Sequence, residues 1–496
     1  MRLHKNVARN WSISLVLLMA PLASADNKPR SSPPPKAAAA SKAAPAAHTP
    51  GKANTGTAPG QHPTTTSPGK KYGSPTTSHP GSTGSRAGGT HFGSAGGAHP
   101  GRTGPSTTRT FSNGTTARFS AGGRIQSIHT ANGVNIRRGV GGQRTVVSRS
   151  NGRMLVSTGP NSGYSQRAYM NRNGRVYVQR TYVIGGRTNV YVYNRYSYGG
   201  AFYYGYVPGY YYRPAFYGWV YNPWLNPVYY RWDWRGAAWY APYGYYFAPA
   251  PYYPVASLWL TDYLLAESLR AAYDASAAQQ AGTSGPPPEQ SAAQNTVLTP
   301  EIKQAIANEV KRQIDAERAA AARPQQPAAA PAAAPAAAPQ AQVVAEQRPE
   351  ALDPAVSVFV VSANLDVNAG DQACSLSPGD VITRISDTPD AKQNVSVKVA
   401  SSKRSDCPTG QSVVIAVADL QEMHNQFRAK IDSGLKTLAD NQGKNGLPPA
   451  PDTQTSAGEV PVPEADAVRA DLQKLQAVAD QTEADVKKQA ATTGTT

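Results

Sequence analysis

At 496 residues the chain has room for two or three domains, yet 44 Gly and 42 Pro gathered in blocks exclude one uniformly packed globule. The net charge of +18 is split: residues 26–255 carry 26 Lys and Arg against Asp26 and Asp233, a net of +24, whereas 256–496 carry a net of −9. No acid lies between Asn27 and Trp232, so this half must meet either a polyanion partner or the acidic half of its own chain.

Residues 1–25 read as a secretory signal, with Arg2, Lys5 and Arg9 before the short apolar run Ile13 to Met19 and the small residues Ala23-Ser24-Ala25. The run is too short to span a bilayer, and no later segment is long and apolar enough, so an exported protein without a transmembrane span is expected. Residues 26–108 are Ala, Pro, Gly, Ser and Thr with almost no large apolar side chain, a composition that predicts a disordered linker. His48, His62, His79, His91 and His99 fall here without a recurring metal spacing, which favours incidental histidines over loose metal capture.

Residues 109–190 alternate in short runs punctuated by Asn113-Gly114, Asn132-Gly133, Asn151-Gly152 and Asn173-Gly174. Asn-Gly suits the type I′ turn, whose two central residues need positive φ, so a meander of antiparallel β-hairpins is predicted. Arginines recur beside the turns. Arg167, Arg172, Arg175 and Arg180 are the candidate polyanion-binding set, because guanidinium forks on one sheet face can grip carboxylate or phosphate. The plainer reading is that they keep exposed edges soluble.

Residues 191–255 hold 20 of 27 Tyr and five of seven Trp, with recurrent Pro and few aliphatic residues. The segment is expected to continue the sheet and, after Pro208, to become an irregular coat. Its rings either supply the sheet's missing core or form an exposed stacking platform, for which Tyr229, Tyr230, Trp232 and Trp234 are the candidates.

A helix is predicted within 256–277, a linker over 278–298, and an amphipathic helix over 299–322. Thr299-Pro300-Glu301 supplies the start of that second helix: an N-cap, Pro at the first position and an early acid. Its stripe Ile302, Ile306, Val310 and Ile314 needs a partner, either the earlier helix or a second copy of the chain, so self-association through 299–322 is one expectation. Pro-Ala repeats make 323–350 a spacer.

Residues 351–446 have ordinary globular texture, with four apolar strand-like runs and a helix from Met423 to Leu438. Leu365-Asp366-Val367-Asn368-Ala369-Gly370, then Leu376-Ser377-Pro378-Gly379-Asp380-Val381, resembles the bacterial SH3-like (SH3b) pattern of Leu-Asn-Val-Arg-Ser-Gly followed by a strand opening with Gly-Asp. The chain departs from it at Asp366, Asn368 and Ala369 and lacks the later Gly-Trp. The segment from Leu376 to Ile382 followed by Gly410 to Val417 is also similar to PDZ domains. Either resemblance implies a protein- or wall-binding module. Cys374 and Cys407, the only cysteines, sit 33 residues apart within it and predict a disulfide worth roughly 3–4 kcal/mol. Residues 447–496 are a Pro-rich tail with an exposed helix expected from Glu464 to Gln489.

The fold class that results is multi-domain and largely irregular: an Arg/Tyr-rich antiparallel hairpin meander, short helices, and a small mainly-β C-terminal module with a terminal helix. No catalytic motif, metal motif or cofactor fingerprint is present, so no enzyme activity, metal or cofactor is expected. The expected function is a non-enzymatic envelope or matrix protein binding an anionic polysaccharide or other envelope polymer. The alternatives are a cell-wall-targeted enzyme or enzyme accessory, and a binder of extracellular nucleic acid.

Overall fold

The computed structural model describes residues 106–139, 143–159, 161–170, 176–280, 297–322, 346–370, 372–403, 407–458 and 465–492. Residues 1–25, which were read as a signal, the five tail histidines, Arg172, Arg175 and most of the expected linkers at 26–108, 278–298 and 323–350 lie outside the described residues.

The alternating stretch folds as one antiparallel ten-stranded sheet in sequence order. Its strands are β1 (Thr107–Thr110), β2 (Thr116–Phe119), β3 (Ile125–His129), β4 (Asn135–Arg138), β5 (Arg144–Ser150), β6 (Arg153–Gly159), β7 (Ser162–Met170), β8 (Val176–Ile184), β9 (Arg187–Tyr198) and β10 (Ala201–Val207). Asn151 and Gly152, at φ 50° and 73°, form the predicted two-residue turn between Ser150 and its partner Arg153. At the first two Asn-Gly sites the loops are longer. Thr110 pairs with Thr116 and His129 with Asn135, and in those turns Gly114 and Gly133, not the preceding Asn, have positive φ.

After β10 the chain forms β11 (Tyr210–Tyr212), α1 (Pro214–Tyr221), two short 3-10 turns, α2 (Ala256–Gln280) and α3 (Pro300–Ala321). The C-terminal module follows with β12 (Val358–Val360), β13 (Leu365–Ala369), β14 (Gln372–Leu376), β15 (Val381–Arg384), β16 (Asn394–Ser401), β17 (Ser412–Ala416) and α4 (Val417–Asn441). Its six strands pair in the order β12-β15-β16-β17-β13-β14. Strand β18 (Thr455–Ala457) returns to pair with β11, and α5 (Ala465–Thr492) ends the described chain. No helix among the described residues is long and apolar enough to cross a membrane.

The large sheet is covered on both faces. On β5, Val146 packs with Leu475, Ala479 and Val486 of α5, while its neighbour Val147 packs in the cluster that contains Ala429 of α4. Successive strand residues point to opposite faces, so α5 and α4 lie on opposite sides. The helix α5 was expected to be exposed. Of its seam, Val468, Leu472 and Leu475 are instead buried against the meander while Val478 stays exposed, because a strip of sheet with one bare apolar face needs a cover. The outer edge of β10 is closed by α4: Asn425 accepts from Tyr206 N at 3.0 Å and donates to Tyr204 O at 2.8 Å, occupying a free ladder position.

Residues 210–255 are not a coat. Tyr212, Phe216, Tyr217, Trp224, Trp232, Tyr246, Phe247 and Tyr253 form one apolar core with Trp259, Leu260 and Leu264 of α2, Ile306, Val310 and Ile314 of α3, and Phe427, Ile431 and Leu435 of α4. The α3 stripe is therefore spent inside the chain, against the earlier helix and α1, which removes it as a self-association surface. Its start is as read: Thr299 Oγ1 accepts from Ile302 N at 3.4 Å, with Pro300 at the first position. Helices α2 and α4 cross closely at Gly434, where a Cβ would stand 2.6 Å from Leu260 Cδ2. These shared cores merge the regions, and the described residues belong to one compact unit within Thr83–Thr496.

Candidate ligand-facing surface and the fate of the arginines

The aromatic segment sorts its side chains by alternation. An isolated antiparallel bridge joins Val228 and Tyr253 through N–H to O bonds of 2.9 and 2.8 Å, and both side chains are buried. Their neighbours Tyr229 and Tyr252 consequently face outward, each 58% exposed, with ring centroids 5.9 Å apart in an edge-to-face pair. The alternation runs on through Tyr230, Arg231 and Trp232. Tyr230 and Trp232 turn in to pack on Trp259, at 5.4 and 5.0 Å between centroids, and Arg231 turns out. Trp232 Nε1 donates to Tyr253 Oη at 2.8 Å, which in turn donates to Asp262 Oδ2 at 2.7 Å.

Of the four platform candidates, then, only Tyr229 is on the outside. Trp232 is buried, while Tyr230 and Trp234 are half-buried against the core, because a nearly aliphatic-free segment must build its interior from rings. Besides Tyr229 and Tyr252, the exposed side chains of this segment include Arg231 and Leu225, the last wholly exposed between Pro223 and Pro227. Arg235 is also exposed, and among the described residues neither it nor Arg231 forms an ion pair. Tyr252, Arg231 and Leu225 were missed in the sequence. The in-out alternation from Val228 to Trp232 was the available signal.

The hairpin arginines behave otherwise. Arg180 is buried and its Nη1 lies 2.6 Å from Glu422 Oε2 of α4. The guanidinium is packed among the rings of Tyr164, Tyr193 and Tyr204, at 5.3, 4.6 and 4.8 Å from their centroids. Arg180 is therefore not a polymer-binding residue: its charge is consumed inside. Gln166 is its register partner, so Arg167, the next residue along β7, points to the other face, where it is half-buried. On the α5 side, Arg138 pairs with Glu483, Arg144 with Asp480 and Glu483, and Arg153 with Asp471 at 2.6 Å. Arg187 reaches Glu267 and Asp274 of α2, each at 3.4 Å. Arg138, Arg144, Arg153, Arg180 and Arg187 of the basic half are thus paired with acids of the second half of the same chain.

Ionisable groups cluster inside as well. Burial, followed by the charge of Glu422, pushes Asp419 up to about 8 against the pull of Arg137. Burial lowers Lys430, which donates to Ser268 Oγ at 2.8 Å, to about 8. In the C-terminal module, Lys403 Nζ donates to Ser377 Oγ at 2.8 Å, which has the outline of a nucleophile-base pair. But the same ammonium also donates to Pro378 O and to the buried Asp380 Oδ1 at 3.1 Å. The three acceptors, one of them the Asp380 carboxylate, surround the ammonium and pin a turn, so Ser377 is one of several groups that Lys403 holds in place. Cys374 and Cys407 are disulfide-bonded, with Cα atoms 5.2 Å apart, and close the same region.

No family model, no curated protein and no solved structure matches the chain.

Proposed function

We propose that the chain is an exported, non-enzymatic protein of the cell envelope or extracellular matrix that binds an anionic polysaccharide or similar polymer. In this reading the contact surface is the exposed strip Tyr229, Arg231, Tyr252 and Leu225 with Arg235, not the hairpin arginines. The observation that carries it is the outward Tyr229–Tyr252 pair on a segment whose exposed Arg231 and Arg235 form no ion pair among the described residues. Phenol rings stack on the apolar faces of sugar rings, and a neighbouring guanidinium takes a carboxylate or phosphate on the same polymer. The N-terminal signal pattern and the disulfide favour an exported setting.

The C-terminal module is assigned a second, protein- or wall-binding contact. Support comes from its SH3-like resemblance and from its outer strand face, where Ile385 and Val414 are exposed beside Ser396 and Lys398. Pull-down on insoluble acidic polysaccharide and on peptidoglycan tests both parts. Tyr229→Ala with Tyr252→Ala should lower polysaccharide retention about tenfold with the near-UV dichroism unchanged, and Arg231→Gln with Arg235→Gln should flatten its salt dependence. Unaltered retention in both double variants overturns the surface assignment, and release of soluble fragments overturns the non-enzymatic reading.

A further inference from the structure

Asn113-Gly114 and Asn132-Gly133 close the β1–β2 and β3–β4 hairpins with the same turn. Phe111 N donates to Thr115 O at 2.8 Å, and Gly114 N to Phe111 O at 3.0 Å. In the second hairpin Thr130 N donates to Val134 O at 2.9 Å, and Gly133 N to Thr130 O at 3.0 Å. Chain direction reverses at every strand of an antiparallel meander, so both turns emerge at the same end of the sheet. There they meet the C-terminal half of α5, and a cavity of about 200 Å³ lies between the three elements.

Phe111, Thr115 and Val486 line the cavity and are buried, whereas Asn113, Asn132 and Asp485 line it and are exposed. Asn113 Oδ1 accepts from Thr115 N at 3.0 Å, which leaves its Nδ2 hydrogens unused. The second turn is braced differently: Thr130 Oγ1 accepts from Val134 N at 3.0 Å. Asn132 makes no side-chain hydrogen bond among the described residues, so its amide is not explained by the turn. On α5, Asp485 Oδ1 accepts from Gln481 Nε2 at 2.9 Å, and no bond among the described residues engages Oδ2.

No Lys, Arg or His lines this cavity, although it opens in the basic half of the chain, so an anion entering it would meet a carboxylate and no cation. Its volume falls below the roughly 300–1,000 Å³ of sites for drug-sized ligands, which suits a single ring. A sugar ring matches both limits. Each hydroxyl donates and accepts at once, so neighbouring hydroxyls can join the amide N–H groups to the carboxylate oxygen while the C–H face of the ring lies against the phenyl group. The geometry points to a binding site for one uncharged hexopyranose, held by Asn113, Asn132 and Asp485 over Phe111. It shares no residue with the Tyr229–Tyr252 strip, and neither assignment rests on the other.

The test is a ligand-observed NMR titration of the full chain with glucose, galactose, mannose and N-acetylglucosamine, with glucuronate as the anionic control. At least one neutral sugar should bind with a Kd on the order of 1–10 mM, and glucuronate about tenfold more weakly than the glucose it derives from. Asn132→Ala and Asp485→Ala, both at exposed positions, should each weaken the neutral sugar about fivefold with near-UV dichroism unchanged. Asp485→Asn should narrow the gap between glucose and glucuronate. Tyr229→Ala with Tyr252→Ala should leave the neutral sugar bound as in the wild type. No binding of any neutral sugar at about ten times that Kd, unchanged affinity in the folded Asn132 and Asp485 variants, glucuronate bound as tightly as glucose, or loss of binding in the tyrosine variant overturns the site.

Discussion

Arg180 Nη1 and Glu422 Oε2 stand 2.6 Å apart with both side chains buried, joining strand β8 to helix α4 across 242 residues of sequence. Tyr182 Oη also donates to Glu422, at 2.8 Å, so the carboxylate is held at both oxygens. A buried pair of this kind contributes little net stability over an apolar replacement, but losing one member strands the other in a low-dielectric interior. Arg180→Met or Glu422→Gln alone should cost about 3–5 kcal/mol in urea unfolding. Arg180→Met combined with Glu422→Leu should cost less than either single change. A double variant as unstable as the sum of the singles would mean that the two side chains act independently.

Neutralising the α5 acids should expose the anion-binding capacity now used internally. With Asp480→Asn and Glu483→Gln, Arg138 and Arg144 lose their carboxylate partners, and retention on heparin resin should extend to higher salt with a steeper salt dependence. An elution position identical to wild type would show that these arginines are inaccessible even when unpaired.

The disulfide should contribute roughly 3–4 kcal/mol, from the 33-residue loop it closes. Cys374→Ser and Cys407→Ser should each lower the unfolding midpoint by a similar amount, and the double variant should be no worse than either single. Free thiols on non-reducing mass mapping of the purified protein would contradict the pairing.

Stability should fall as pH rises from about 4 to 8. Asp419 has a folded value near 8 against an unfolded value of about 4, so the folded state binds the extra proton across that window. The unfolded state then holds fewer protons, and the slope of stability with pH is negative. Asp419→Asn should remove this fall, so that its stability relative to wild type rises between pH 5 and 8.5 by more than about 1 kcal/mol. Lys430 has the opposite sign: with its folded value lowered to about 8, it restores some stability between about pH 8 and 10. A thermal midpoint that climbs steadily from pH 5 to 8.5 would contradict the first of these.

What could be read from the chain itself was the part written in short-range chemistry. Asn151-Gly152 set a hairpin turn because both residues accept positive φ, and Thr299-Pro300 started α3 because the hydroxyl satisfies a free N–H and proline needs none. Cys374 and Cys407 had only each other to bond with in this chain. The charge imbalance was also visible, together with its two possible resolutions. Which resolution held could not be read, since the partners of Arg138, Arg153 and Arg180 lie 345, 318 and 242 residues away. The same limit applied to the rings. Composition showed that the aromatic segment needed a core, but Tyr229 and Trp232 differ only in which side of an extended segment they occupy. The Val228–Tyr253 bridge and the apolar flank of α2 decided that side, because burial is a property of contacts between distant segments and not of any residue alone.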